Sequence, residues 1–234
     1  MTRNLQWMLA GSLAALLLSG CATTSGNPKD PNESFNRAMF KANEVVDMVV
    51  AKPLAKGYDA AVPLPAKASV GNFFSNIGDL WIGVNNGLQG KPGTGASDLG
   101  RLLINSTIGI FGLFDVASEL GLTKHNEDFG QTMAVWGVGD GPYVFLPVIG
   151  PRTLRDSLGF VVDSSADPVS WGLDHVRTRN SATGLRFVDI RASLLPADKV
   201  VDEAALDKYA YIRDAYLQRR RSLVFDGRPP RQDD

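Results

Sequence analysis

Side chains that could carry acid–base chemistry cluster at one place in the sequence, where His125 is followed by Glu127 and Asp128. A histidine beside carboxylates can transfer protons, and the downstream residues Arg152 and Arg155 could hold an anion. The same residue types are typical of helix caps and of surface ion pairs. The pattern therefore leaves both interpretations open.

Sequence motifs that would position such groups for catalysis are missing. There is no His-Glu-x-x-His pattern for zinc and no Gly-x-Ser-x-Gly turn for a hydrolase serine. The glycine-rich stretch that ends at Lys91 is not a phosphate-binding loop, because Pro92 stands where a serine or threonine is required. We therefore predict a protein that is not an enzyme and that has no metal or cofactor site.

The single cysteine, Cys21, has a sequence context typical of covalent modification. Arg3 and the uncharged stretch 7–18 match the basic and apolar regions of a secretory signal, and the stretch is too short to span a membrane. The preceding residues, Leu18-Ser19-Gly20, resemble a bacterial lipobox. We predict a signal peptide over 1–20 and acylation of Cys21. The alternative is an ordinary cleaved signal with a stray thiol.

The residues after Cys21 indicate where such an anchor would place the chain. Each acyl chain contributes about 0.8 kcal/mol per buried CH₂, so a cysteine with several chains is anchored almost permanently. Ala22 stands where an aspartate would favour retention in the inner membrane, which indicates the periplasmic face of the outer membrane. Residues 21–29 are mostly small and polar and are predicted to form a tether.

Composition excludes several other classes of function. The 234 residues carry 24 lysines and arginines against 25 aspartates and glutamates, a formal charge of -1, which argues against a nucleic-acid partner. One cysteine allows no internal disulfide and no multi-cysteine metal site. The 24 glycines and 13 prolines predict frequent breaks between helices.

The mature chain begins with a helix signal at Asp30. This residue, the following proline and Glu33 match a capping box, and apolar residues then recur every three or four positions. The helix should end before Pro53, and the segment 63–65 predicts a second break. A further helix is predicted over 67–89, with amides and one carboxylate on a polar face that could contact other protein.

Two apolar stretches, 108–114 and 143–149, are shorter than the roughly 20 residues that span a bilayer. Each could be buried core or a surface that lies in lipid. The last helix is predicted over 202–225, and its three consecutive arginines could be solvated or contact anionic headgroups. A disordered tail is predicted over 226–234. Because alternating strand patterns are scarce, we predict an all-α single domain of amphipathic, glycine-broken helices over 30–225.

Short motifs follow one another in a fixed order along most of the mature chain. They include Asp30-Pro31-Asn32-Glu33, Asn72-Phe73-Phe74-Ser75-Asn76, Val84 to Lys91, Glu127 to Thr132, Gly141-Pro142-Tyr143, Gly150-Pro151-Arg152 and Arg213-Asp214. Each motif alone is weak evidence for a family, but the ordered set resembles the VacJ family of outer-membrane lipoproteins. This family is also called MlaA, a component of the system that maintains outer-membrane lipid asymmetry.

The resemblance implies a ring-like helical body in the inner leaflet of the outer membrane, associated with trimeric porins. An amphipathic channel would pass mislocalised phospholipids from the outer leaflet to a soluble periplasmic carrier. On this expectation the polar side of the channel is lined by Asn72, Asn76, Asp79 and Asn86. A flexible gate is expected at Gly130, Gly137, Gly139, Gly141, Pro142, Pro147 and Gly150. The alternative is a structural, porin-associated lipoprotein without a transport role.

Overall fold

The computed structural model describes residues 27–231 and confirms the predicted all-α class. The predicted signal peptide, Cys21 and the first part of the tether lie outside the described residues. The helices are α1 (Glu33–Val46), α2 (Lys52–Ala61), α3 (Leu64–Leu88), α4 (Pro92–Thr107), α5 (Val116–Glu119), α6 (Phe129–Val135), α7 (Leu154–Ala166), α8 (Pro168–Trp171), α9 (Val176–Ser193), α10 (Leu195–Ala204) and α11 (Lys208–Val224). Strands β1 (Tyr143–Leu146) and β2 (Gly150–Thr153) form an antiparallel hairpin.

The start of α1 differs from the predicted capping box. The N-cap is Asn32, whose side chain makes no capping hydrogen bond. Asp30 is instead buried, and its carboxylate accepts hydrogen bonds from Asn36 Nδ2 at 2.8 Å and from the Tyr209 hydroxyl at 2.5 Å. Arg213 also pairs with it at 3.2 Å. Asp30 therefore links the first helix to the last one instead of capping the first.

Pro53 does not end the first helical segment, contrary to prediction. A π-helical turn over Asp47–Ala51 follows α1 directly, and α2 begins at Lys52 with Pro53 in its first turn. Proline is tolerated there because the first N–H groups of a helix need no intrahelical partner. The break comes at Pro63, whose ψ of 149° is extended, so the predicted second break is confirmed.

An aromatic core lies between α1, the hairpin and α11. Phe40 packs edge-on against Phe145, with ring centroids 5.4 Å apart, and Tyr143 packs against Tyr209 at 6.3 Å. Asn36 holds the strand in place, because its Nδ2 donates to the Tyr143 carbonyl and its Oδ1 accepts from the Phe145 N–H. The apolar stretch 143–149 is thus divided between a half-buried strand and an exposed turn.

Helices α3 and α4 approach each other closely at two glycines. A Cβ at Gly95 would lie 2.8 Å from the Gly83 carbonyl oxygen, and one at Gly83 would lie 3.1 Å from the Gly95 carbonyl oxygen. Side chains at these positions would push the helices apart. The glycines here therefore allow close helix packing and do not interrupt either helix.

The C-terminal region begins later than predicted. Helix α11 starts at Lys208, and the Asp207 carboxylate caps it by accepting from the Ala210 N–H at 3.2 Å. Residues 202–203, which fall inside the predicted range 202–225, belong to α10. Asp226 forms an ion pair with Lys91 at 2.5 Å, so the start of the predicted disordered tail contacts the helical body.

Candidate functional site

Large apolar side chains face outwards over much of the described chain. In the segment 108–114, Phe111 is 77% exposed and Ile108 is 65% exposed. A second group extends from the end of α1 through the π-helical turn into α2. It consists of Val45, Val46, Met48, Val49, Val50 and Leu54. Soluble monomers rarely expose large contiguous apolar patches, which usually mark interaction with a membrane or another protein. The structure therefore supports a surface location for 108–114 and not a place in the buried core.

The exposed segment 108–114 is held in a defined shape. Ile110 and Phe111 have φ angles of 52° and 56°, in the left-handed region that non-glycine residues rarely adopt. Helix α3 braces the segment, because Asn72 Nδ2 donates to the Leu113 carbonyl at 3.2 Å. A Cβ at Gly112 would lie 2.6 Å from Asn76 Nδ2, so only glycine fits this approach.

Polar side chains fill much of the interior between α3 and α4. Asn86 Nδ2 donates to Asp98 Oδ2 at 2.8 Å, and Asn76 Nδ2 donates to the Ser106 hydroxyl at 2.9 Å. All of these residues except the serine are buried. The polar face of the predicted helix 67–89 is therefore a contact surface for α4, which is the alternative that the sequence left open.

Asp79 lies at the centre of this interior and is fully buried. It pairs with Lys124, and its Oδ2 lies 3.5 Å from Arg101 Nε. Burial raises the pKa of the Asp79 carboxyl above its usual value, although both cations oppose that shift. Of the four predicted channel residues, Asn76, Asp79 and Asn86 thus join helices, and Asn72 lines the cavity described below.

A second buried ion-pair cluster joins α11 to α6 and α7. Arg220 Nη2 donates to Asp128 Oδ1 at 2.6 Å and to Asp156 Oδ1 at 2.9 Å. Burial alone would raise the pKa of both carboxyls, but the Arg220 charge and the hydrogen bonds outweigh it and lower them. The middle arginine of the triplet is therefore neither solvated nor available to headgroups. Sequence spacing could not reveal this contact, because its partners lie more than 60 positions away.

The remaining candidates for acid–base chemistry are also engaged in contacts within the chain. His125 Nδ1 lies 2.8 Å from Asp98 Oδ1, and Glu127 accepts from Gln89 Nε2 at 2.9 Å. Arg155 pairs with Asp140 at 2.6 Å and with the adjacent Asp156. These contacts agree with the interpretation of the charged clusters as helix caps and ion pairs.

The predicted gate residues fall into two groups. Gly130 lies within α6, and a Cβ there would lie 2.5 Å from Arg220 Nη2, so this glycine serves packing and is not in a loop. The others border the hairpin or the loop that leads to it. Gly137, Gly141 and Gly150 have positive φ angles, and Gly139, Pro142 and Pro147 lie between them.

A cavity of about 930 Å³ opens between α2, the first turns of α3, and the region where α9 meets α10. Its volume lies within the range of small-molecule binding sites. Its lining includes the apolar residues Leu64, Ala68, Ala192, Leu195 and Pro196. It also includes lysines and aspartates, so the cavity is amphipathic. Asn72 also contributes to its wall.

Ion pairs and one phenol organise the polar part of the cavity. Lys52 pairs with Asp198 at 2.8 Å. The Tyr58 hydroxyl donates to Asp189 Oδ1 at 2.8 Å. Burial and the Asp189 carboxylate raise the pKa of Tyr58 to about 12, so the phenol stays protonated and keeps donating at neutral pH. The sequence did not predict this site, since its lining comes from segments more than 100 residues apart.

A family model described as MlaA lipoprotein matches residues 28–223. The chain belongs to the MlaA lipoprotein family. It is 35% identical over 224 residues to the intermembrane phospholipid transport system lipoprotein MlaA of Escherichia coli K12, covering 92% of this chain and 88% of the relative. The MlaA of Haemophilus influenzae is 31% identical over 230 residues, covering 94% and 91% of the two chains.

Two further matches extend the family relationship. An uncharacterized protein of Rickettsia bellii is 37% identical over 196 residues, covering 83% of this chain and 76% of the relative. A solved structure from work on the structural basis for maintenance of bacterial outer membrane lipid asymmetry matches with a TM-score of 0.72 and 33% identity. That match covers 85% of this chain and 99% of the solved chain. None of the helices within residues 27–231 of this MlaA-family chain combines the length and the apolar character that a membrane span requires.

Proposed function

We propose that this MlaA-family chain is an outer-membrane lipoprotein that removes mislocalised phospholipids from the outer leaflet. It passes them to a soluble periplasmic carrier and so maintains the lipid asymmetry of the outer membrane. The observation that carries the proposal is the arrangement of exposed apolar side chains around a polar, hydrogen-bonded interior, next to an amphipathic cavity. The names of the Escherichia coli and Haemophilus influenzae relatives support it.

The exposed apolar surface suits a body that lies partly in lipid. Each Å² of apolar surface removed from water contributes about 25 cal/mol, and lipid offers such an environment to the exposed side chains of 108–114. Backbone groups in lipid must also be paired internally. The Phe111, Gly112 and Phe114 N–H groups donate to the carbonyls of Ser106, Asn105 and Gly109. This irregular segment can therefore tolerate an apolar surrounding.

An amphipathic path lowers the cost of moving a phospholipid. Exposing about 30 acyl CH₂ groups to water costs on the order of 24 kcal/mol, at about 0.8 kcal/mol each. The cavity lining offers apolar side chains to the acyl chains and charged side chains to the headgroup. Transfer along it requires no energy source when the lipid moves towards lower free energy.

The proposed partners follow from the family resemblance and from the predicted anchor. Acylated Cys21 would hold the chain at the periplasmic face of the outer membrane. A trimeric porin is the proposed neighbour in the membrane, and a soluble lipid carrier is the proposed acceptor in the periplasm. The Asn72 side chain is the one predicted channel residue that we retain at the lipid path, because it lines the cavity.

The proposal is tested by measuring surface-exposed phospholipid in cells without this protein and in cells that produce it again. We expect phospholipid to accumulate in the outer leaflet without the protein, and wild type to reverse the accumulation. Cys21→Ala should fail to reverse it, whereas the neighbouring Thr23→Ala should behave as wild type. Unchanged surface lipid in all strains would contradict transport and would favour a structural, porin-associated role.

A further inference from the structure

Three charged side chains of the amphipathic cavity have no oppositely charged partner in the part of the chain that the structure describes. They are Lys56, Lys199 and Asp189. The other charged lining residues form ion pairs, Lys52 with Asp198, Lys67 with Asp59 and Asp202 with Lys208. The cavity therefore offers two positive charges and one negative charge to a ligand.

The surroundings of Asp189 keep its carboxylate available. Its Oδ1 accepts a hydrogen bond from the Tyr58 hydroxyl, a neutral donor, so the negative charge is not compensated. Its Oδ2 points towards Gly71, where a Cβ would stand 3.7 Å away. Because glycine has no side chain, space remains beside this oxygen for a donor from a ligand.

We infer that the cavity binds the headgroup of a zwitterionic phospholipid with a primary amine, with Lys56 and Lys199 contacting its phosphate and Asp189 its ammonium group. The inference rests on the proposed function and names the headgroup class that the transported lipid carries. Lysine ammonium groups form charge-assisted hydrogen bonds with phosphate oxygens. A primary ammonium donates up to three hydrogen bonds, which a carboxylate accepts.

Other headgroups satisfy this charge pattern less well. An anionic headgroup without an amine leaves Asp189 without a cation and brings a further negative charge near it. A trimethylated amine carries the positive charge but has no N–H to donate. The apolar lining residues, among them Leu64 and Leu195, distinguish an intact lipid from a free phosphoethanolamine compound, since only the lipid has acyl chains to place against them.

The test uses the acylated full-length protein purified in detergent. It is incubated with equal amounts of phosphatidylethanolamine, phosphatidylglycerol and phosphatidylcholine, and bound lipids are quantified by mass spectrometry. We expect wild type to be enriched in phosphatidylethanolamine over both other lipids. Soluble glycerophosphoethanolamine in excess should not displace the bound lipid, whereas displacement would show that a free phosphoethanolamine compound is the ligand and would overturn the lipid assignment.

Charge-specific variants separate the two halves of the headgroup. Asp189→Asn should lower the ratio of phosphatidylethanolamine to phosphatidylcholine by about tenfold, which corresponds to about 1.4 kcal/mol. Tyr58→Phe removes the phenol but keeps the carboxylate charge, so it should retain the preference. Lys56→Ala with Lys199→Ala should weaken binding of all three lipids in parallel. The exposed Asp174→Asn and Lys41→Ala serve as matched controls and should bind as wild type.

Two further results would overturn the inference and leave the proposed function standing. Wild type that binds the three lipids in the supplied proportions, or Asp189→Asn that keeps the preference, would show that the cavity does not select the amine. In either case lipid still binds, so the proposed transport function stands. Wild type that binds no lipid would overturn the inference together with its premise. Circular dichroism of each variant verifies that the helical fold is retained.

Discussion

Arg101 Nη2 donates hydrogen bonds to both oxygens of the Asp115 carboxylate, at 2.9 and 3.0 Å. Arg101 belongs to α4, and Asp115 caps α5 by accepting from the Ser118 N–H. The exposed apolar segment 108–114 lies between these two residues in the chain. The contact therefore closes the base of that segment and holds its apolar side chains outwards.

Replacing Arg101 should destabilise the fold, because Arg101 is almost completely buried. Arg101→Met leaves the partly exposed Asp115 carboxylate without its cation and leaves the buried Asp79 with Lys124 alone, and we expect a loss of about 2–4 kcal/mol. Urea unfolding in detergent, followed by circular dichroism, measures this loss. Lys208→Ala removes an exposed pair with Asp202 and should leave the midpoint nearly unchanged. Equal midpoints for both variants would refute the structural role of Arg101.

Stability should fall in acid through the titration of Asp115. Burial alone would raise the pKa of this carboxyl, but hydrogen bonds from Ser118, Asn105 and Arg101 outweigh it and lower the pKa to about 2, against 3.8 as the ordinary value. A carboxyl with a lowered folded-state pKa stabilises the fold above pH 3.8 and loses that contribution as pH falls towards 2.

The measurement compares urea midpoints of wild type and Asp115→Asn between pH 5 and pH 2. The difference in midpoint should be largest at pH 5 and should shrink as the wild-type carboxylate is protonated. For the exposed Thr178→Ala, which removes no titratable group, the difference from wild type should stay constant over this window. A constant difference for Asp115→Asn as well would mean that its ionised form contributes no stability.

Helices α6 and α7 meet at a pair of glycines, which predicts opposite effects of two alanine substitutions. A Cβ at Gly159 would lie 2.6 Å from the Gly130 backbone nitrogen, so Gly159→Ala should cost about 1–3 kcal/mol through overpacking. Gly184, within α9, has open space around it, and Gly184→Ala should stabilise by about 0.5–1 kcal/mol. Thermal melts of the two variants give the sign directly. A stabilised Gly159→Ala protein would contradict the close approach.

The hairpin is the part of the predicted gate that a cross-link can test. Asn43 of α1 holds its turn, since its Nδ2 donates to the Leu146 carbonyl at 2.9 Å and its Oδ1 accepts from the Val148 N–H at 2.8 Å. We propose that the hairpin moves during transport. Oxidising a protein with Asn43→Cys and Val148→Cys should then block phospholipid removal, and a reductant should restore it.

Either single-cysteine variant, oxidised in the same way, controls for loss of the Asn43 or Val148 side chain. Cys21 does not compete for the disulfide if it is acylated, as predicted. Transport that continues in the oxidised double variant, with the cross-link verified by mobility on a non-reducing gel, would assign the hairpin to core packing.

Local sequence patterns determined the helical class and several helix ends. The break at Pro63 and the helix that follows it were predictable, because proline restricts the backbone of its neighbours and apolar residues recur at helical spacing. Pro53 was misjudged for a physical reason. Proline breaks a helix when it lies in the interior but is compatible with the first turn. Pro53 is a first-turn residue because a π-helical turn precedes α2, and that turn has no clear sequence signal.

The partners of polar side chains were decided only by the tertiary structure. The amides on α3 could face a channel, solvent or another helix, and their spacing is the same in all three cases. Asp30 illustrates the point. Its sequence context predicts a helix cap, but in the structure its buried carboxylate accepts a hydrogen bond from Tyr209, 179 positions away. Likewise, a solvated position is one of the alternatives that the sequence allows for Arg220, but in the structure Arg220 is buried and pairs with Asp128.

The sequence by itself determined the helical class, because helix signals are local, and the family to which the chain belongs, because short family motifs follow one another in order along the chain. The anchor at Cys21 stays a prediction from the sequence. The tertiary structure decided which polar residues form hydrogen bonds in the interior. It also decided which charged residues, among them Lys56 and Asp189, line a cavity. The physical reason is that a buried polar group is stable only when it finds a partner, and that partner is chosen by folding.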